Sequence, residues 1–372
     1  MNLFKLNLIS LIIFPYLIRP FHFGIFIFLI TLYKTKIKIK LNEKIFLFII
    51  LFFWYLSIII SMFIYEHFPL NYSLLYNFFP FFLFLISYFI IKNKNYTNSL
   101  LLNIAISISL LLSFFILIGY LKNDFFLLSY YISKSQIIGL ERLGTIIAPF
   151  DNPNSNGLIL SIQLAFNIYI IKNIKKKSIL LFILTIILFI GLIGTFARTA
   201  LGALFIYLIL TNLRNKYFWY SLILMLIYVF FNFESFERIF TYYSTIFTFY
   251  EDYSFNQRFH YWGNIYEIIT SNNLYLIFGF AGYKSYLIQE FGSTVIDSSL
   301  AYLILAHGVI IPFLILFYLL NLLRKQYILF AFFIMLIVMS ITYPFLTEPR
   351  VCLYIGILLG FINSKENINV VK

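Results

Sequence analysis

Two arginines and one aspartate, set in a chain that is otherwise almost free of charge, are the residues best suited to chemistry. Arg198 stands in Gly194-Thr195-Phe196-Ala197-Arg198-Thr199-Ala200, where two apolar runs meet with almost no loop. An arginine costs about 2.5–3.5 kcal/mol at the centre of a membrane helix and less near the interface. One use for it is snorkelling to a lipid phosphate. The sharper use is to grip the oxygens of a bound phosphate, which a planar guanidinium does with two parallel hydrogen bonds. Arg258, followed four residues on by Trp262, offers the same fork, with cation–π or ion-pair packing in its own loop as the alternative. Asp297, in Val295-Ile296-Asp297-Ser298-Ser299, is either the N-cap of the next helix or a partly buried carboxylate able to act as general base.

Other polar residues gather near these three. Arg142 precedes Asp151-Asn152-Pro153-Asn154-Ser155-Asn156-Gly157. A cap at Asn152 with Pro153 as first helical residue accounts for one amide and the proline. Asn154 and Asn156 exceed what a cap needs, and such amides suit sugar hydroxyls. Trp262, Ile265, Tyr266 and Ile269 recur at i, i+3, i+4 and i+7, one side of a half-buried helix that Arg258 extends. Glu267 on that helix is the reserve base. His307 lies ten residues beyond Asp297, about 15 Å along a helix and too far for direct contact. A lone histidine in a helix is more often packed than catalytic. His22, His67 and His260 lack metal-ligand spacing, and Cys352 is alone in an apolar run. No phosphate loop, dinucleotide fingerprint or serine-nucleophile motif is present, so no metal and no cofactor is expected.

The elements that must hold these residues follow from composition. A chain of 372 residues with 62% hydrophobic and 11% charged residues, and a mean hydropathy of +0.94, is not a soluble globule. Charge-free runs such as Ile45–Tyr65, Asn95–Leu121, Ser178–Ala197, Ser298–Leu323 and Gln326–Thr347 match the hydrocarbon thickness. The pattern predicts an all-α polytopic bundle, one integral membrane domain over 1–372, with about twelve spans. Their centres fall near Leu11, Ile27, Leu51, Phe82, Leu110, Leu164, Leu184, Ile206, Met225, Leu314, Ile334 and Ile357. The first stretch lacks a small-residue cleavage site and is expected to stay as a helix. Two loops are long, 122–154 and 232–296. The second is too rich in Tyr, Phe and Ile for disorder and should fold back onto the membrane face. Within it, Ile277-Phe278-Gly279-Phe280-Ala281-Gly282 marks a turn where backbone comes close to another element.

Charge assigns the sides. Most of the 27 Lys and Arg residues lie in alternate gaps, around Lys34–Lys44, Lys92–Lys94, Lys172–Lys177, Arg214–Lys216 and Arg324–Lys325. Most of the 14 acids lie in the other gaps. Lys/Arg-rich short loops stay cytoplasmic, so both termini should be cytoplasmic and both long loops outside. The net charge of +13 invites a nucleic-acid partner, but it sits in short inter-helix loops and forms no basic domain. Arg142, Arg198 and Arg258 lie on the side that insertion disfavours.

In arrangement and short motifs, over roughly Arg142 to Gly308, the chain resembles the O-antigen polymerase and ligase superfamily. The matching pieces are Arg142 with the Asn152–Gly157 run and Ala197-Arg198-Thr199-Ala200-Leu201-Gly202 between two spans. A large loop follows with Arg258 and Trp262 on one helix and Gly279-x-x-Gly282, then the Asp297 to Gly308 segment. Ligases of the family carry His-Asn at the re-entry position, where this chain has Asp297-Ser298, so polymerase is favoured over ligase. The resemblance implies an inner-membrane enzyme acting on the extracytoplasmic side. It would transfer glycan from a polyprenyl diphosphate carrier to another lipid-linked repeat unit, building an O-antigen or capsule-like polysaccharide. Arg198 and Arg258 would hold the diphosphate and Asp297 would serve as base, with Arg142, Asn152, Asn154, Asn156, Trp262 and Glu267 around the substrate. Expected partners are the lipid-linked oligosaccharide, membrane lipid, and a chain-length regulator or flippase, with no nucleic acid. Two other classes compete. A lipid-linked oligosaccharide flippase should spread its intramembrane charges over both halves, whereas here they follow Arg142. A non-catalytic scaffold leaves the outer arginines unexplained.

Overall fold

The computed structural model describes residues 41–64, 73–92, 96–121, 153–174, 178–195, 197–231, 253–279, 298–324, 326–343, 346 and 349–370. Among them there are thirteen helices and no strand. In chain order these are α1 (Leu41–Ile64), α2 (Ser73–Lys92), α3 (Asn98–Leu121), α4 (Pro153–Asn173), α5 (Ile179–Gly194), α6 (Arg198–Asn212) and α7 (Lys216–Phe231). Then come α8 (Tyr253–Thr270), α9 (Asn273–Phe278), α10 (Ser299–His307), α11 (Ile310–Leu323), α12 (Tyr327–Thr342) and α13 (Pro349–Val370). Every expected span centre from Leu51 to Ile357 lies in a helix, while Leu11, Ile27 and nearly all of 122–154 fall outside the described residues. Two stretches, Leu41–Ile60 and Asn98–Leu117, are long and apolar enough to cross a membrane. Other apolar helices are shorter, among them α5, α6 and α11.

Two helices form the centre. From Asn156 to Ile170 every residue of α4 except Ile168 is buried, as expected of a helix without a polar face. Around it pack α3, α5, α6 and α13. Its amides need partners there, and they find them in one another. Gln163 Nε2 donates to Asn167 Oδ1 at 2.8 Å, Asn167 Nδ2 donates to Ser109 Oγ of α3 at 2.8 Å, and Tyr354 Oη of α13 donates to Gln163 Oε1. Thr185 of α5 joins through Asn167 Nδ2 at 3.3 Å. A closed set of this kind ties four helices without leaving a buried donor unmet.

The second central helix, α13, lies along α2. Gly356 and Gly360, spaced as small-xxx-small, let the backbones approach. An added Cβ at Gly356 would stand 2.4 Å from Phe84 O, and one at Gly360 3.0 Å from Tyr88 O. Asn363 Nδ2 then donates to Tyr88 Oη at 2.6 Å.

The outward faces are apolar. Phe48 is 69% exposed on α1, Ile179 80% on α5 and Phe313 69% on α11.

Helix ends meet in two sets that match the two sets of gaps. In the basic set, Lys92 pairs with Glu43 at 3.0 Å, Lys172 Nζ donates to Asn212 Oδ1 at 2.5 Å, and Tyr327 Oη donates to Leu210 O. In the other, the start of α4 meets the α5–α6 turn, and Ser299 Oγ donates to Tyr343 O at 2.9 Å.

One expected span is broken. The apolar run Ser298–Leu323 folds as α10 and α11, separated at Gly308-Val309. Gly308 caps α10 with φ 72° and ψ −174°, a conformation open essentially to glycine alone. Apolar residues dominate on both sides of the break, so a run of hydrophobic residues does not register it.

Candidate functional site

The turn that carries Arg198 is built by Thr195. Its Oγ1 donates to Leu192 O at 2.7 Å, closing α5, and accepts from Ala197 N at 3.2 Å. Chain direction thus reverses within three residues, and Arg198 becomes the first residue of α6. The N-cap is Ala197, which has no side chain to accept from the first-turn amides. The positive end of α6 therefore coincides with a half-buried guanidinium, an arrangement suited to an anion.

Against this turn lies the Asn-rich start of α4. An added Cβ at Gly157 would be 2.4 Å from Ala197 Cβ, 3.1 Å from Ala200 Cβ and 3.2 Å from Thr195 Oγ1. Two motifs separated by some forty positions in sequence thus share one joint (Gly157 with Ala197). The helix starts at Pro153, where the capping pattern puts it. Asn156, the residue before Gly157, is only 4% exposed. Arg142, Asn152 and the side chain of Asn154 lie outside the described residues.

In the large loop, α8 packs on α9 and α10. Ile265 and Ile269 are buried and Trp262 is half-buried, as their spacing predicts. Tyr266 departs from the expected stripe and is 69% exposed. At about 100° per residue it stands at the edge of the arc that Ile265 and Ile269 define. Position 258 shares the register of that arc, while the Arg258 side chain is outside the described residues. Glu267 is exposed, on the side of α8 opposite Ile265 and Ile269, and so does not share the buried face with Trp262.

At the re-entry point the cap is Ser298, not Asp297. Ser298 Oγ accepts from Ala301 N at 3.2 Å and donates to Ser340 O at 3.1 Å. Asp297, one residue earlier, lies outside the described residues, and the capping role is filled without it.

Compared with protein families, curated proteins and solved structures, the chain matches none.

His307, set aside in sequence, is packed into the bundle at 0% exposure. Its ring lies 3.7 Å from that of Trp54 on α1, and its Nδ1 is 3.0 Å from Ser57 Oγ. Ser57 gives its proton to Trp54 O at 2.8 Å, so in the neutral ring Nδ1 carries the hydrogen and donates to Ser57. Nε2 is then a lone pair with no hydrogen-bond partner among the described residues. The contact joins positions 250 apart in sequence, which is why spacing alone did not reveal it. Among the described residues no group of three or more His, Cys, Asp or Glu is placed to hold a metal ion.

Proposed function

We propose that the chain is a multi-pass inner-membrane glycosyltransferase, a polysaccharide polymerase working on the extracytoplasmic side. It takes glycan from a polyprenyl diphosphate carrier and adds it to another lipid-linked repeat unit. The observation that carries this reading is the joint of the α5–α6 turn with the start of α4 at Gly157. It supports the reading because Arg198 opens α6 at that turn, the cap of α6 is left to an alanine, and the Asn-rich run leads into Gly157. Support for the bilayer comes from the apolar outward faces and from helix ends that sort by charge into two sets. In this reading about twelve spans cross the membrane, with both termini in the cytoplasm.

The reaction needs few parts. Asp297 takes the proton of the acceptor hydroxyl, whose oxygen attacks the anomeric carbon of the donor sugar. The bond from that carbon to the diphosphate oxygen breaks, and the polyprenyl diphosphate leaves with both electrons. Negative charge grows on the departing oxygen, and fixed guanidinium groups of Arg198 and Arg258 stabilise it more than solvent would.

A second reading, a lipid-linked oligosaccharide flippase, is favoured by one observation: the interruption of α10 and α11 beside the buried His307, a feature of transporter helices. Deleting the protein separates the two. Loss of a polymerase leaves single repeat units on the cell surface and no long chains. Loss of a flippase leaves none outside. Sidedness has its own test: a periplasm-active reporter fused near Tyr253 should be active and one near Lys176 silent.

A further inference from the structure

We infer that Gly279 and Gly308 are positioning residues, whose crossed capping turns fix the large outer loop, and with it α8, on the bundle. The inference rests on the polymerase reading for its consequence but not for its geometry.

The two glycines end different helices in nearly the same way. Gly279 closes α9 with φ 78° and ψ −176°, and Gly308 closes α10 with φ 72° and ψ −174°. Their backbones touch reciprocally. A Cβ on Gly279 would stand 2.3 Å from the amide nitrogens of both His307 and Gly308, and one on Gly308 would stand 2.1 Å from Ile277 O. Val309 N crosses to Leu276 O at 3.0 Å, a backbone hydrogen bond between these segments.

Beside this crossing, α9 packs against α8 and α1. It is six residues long, and none of them is buried; Tyr275 is half-buried against the core. A helix of one and a half turns with no buried residue has no stability of its own. Main-chain contact with the α10–α11 break therefore joins the packing on α1 and α8 in setting its place. On the far side of that break, His307 is fixed to α1 through Ser57 and Trp54. On the near side, Asn272 caps α9 by accepting from Leu274 N at 2.9 Å, directly after the end of α8. A continuous physical path thus runs from the bundle to the helix bearing Trp262 and position 258.

Cysteines at both ends of the crossing hydrogen bond, Leu276→Cys with Val309→Cys, give a reporter in the full-length membrane protein. Both positions are partly exposed, and the native Cys352 is buried. The pair should cross-link in high yield with a short bifunctional thiol reagent and leave long-chain glycan synthesis intact. Adding Gly279→Ala should lower both cross-link yield and long-chain glycan at least tenfold, with the protein still in the membrane. Gly263→Ala on α8, where an added methyl meets nothing within 4 Å, should change neither. Val309→Pro is the second variant, read with the cysteine pair Leu276→Cys and Ile310→Cys because position 309 is then taken; Ile310 is half-buried. Val309 has φ −77° at the start of α11, which proline accepts, yet the change removes the donor to Leu276. It should reproduce both losses, so poor folding of Gly279→Ala would not shelter the idea. Wild-type cross-linking in Gly279→Ala and Val309→Pro overturns the inference, whatever reaction the protein performs. So does loss of the cross-link with glycan length unchanged.

Discussion

Gly157 and Gly308 both stand where a methyl group has no room, but what crowds them differs. Around Gly157 the neighbours are side-chain atoms, Ala197 Cβ, Ala200 Cβ and Thr195 Oγ1, and the glycine lies inside an ordinary helix. Around Gly308 they are backbone atoms of Ile277 and Phe278, and φ is positive. The first joint brings the start of α4 to the Arg198 turn, and the second holds α9 on the α10–α11 break. A joint limited by methyl groups can be retuned by changing its partner. One limited by main chain cannot, because no substitution removes a carbonyl.

That difference orders the expected effects. Gly308→Ala should be the worst, combining a forbidden φ with overlap on Ile277 O, at about 3 kcal/mol or more in unfolding of the detergent-solubilised protein. No single change at Ile277 or Phe278 should restore it. Gly157→Ala should cost about 1–3 kcal/mol by overpacking alone. Adding Ala197→Gly removes the atom 2.4 Å away and should recover most of that loss. A double variant no more stable than Gly157→Ala would show that the Gly157 joint is as rigid as the other. Smaller still is Asn167→Leu, which strips Gln163 and Ser109 of a partner within the closed amide set. Intramembrane hydrogen bonds are modest, so about 1 kcal/mol is expected. Gly263→Ala and Gly202→Ala meet no neighbour within 4 Å and should stabilise their helices by about 0.5 kcal/mol.

What the sequence allowed one to see follows the same division between side chain and backbone. Hydrophobic runs are a side-chain property, and they located a helix at each expected centre from Leu51 onward. The i, i+3, i+4, i+7 spacing found the buried side of α8 through Ile265 and Ile269 but misplaced Tyr266, which sits at the edge of that arc. Pro153 announced the start of α4 correctly, because proline is tolerated at the first helical position. Gly279 was legible as part of the Ile277–Gly282 segment, a glycine turn where backbone comes close to another element. Its partner Gly308 was not, being one glycine in an apolar run. Nor was the cap of α10 assigned to the right residue. Asp297 and Ser298 both cap well, and only the bonds of Ser298 to Ala301 N and Ser340 O decide between them. The contact of His307 with Ser57 depends on how α1 lies against α10, and local pattern carries no record of that.

The two joints matter to the proposed chemistry only if the guanidinium groups they position grip a diphosphate. Replacing Arg198 with lysine keeps the charge and removes the planar fork. The measurement is glycan chain length in cells carrying Arg198→Lys or Arg258→Ala, with the protein's membrane level followed alongside. The account predicts that each variant reaches the membrane and makes no long chains. Polymer of normal length from both variants would contradict it.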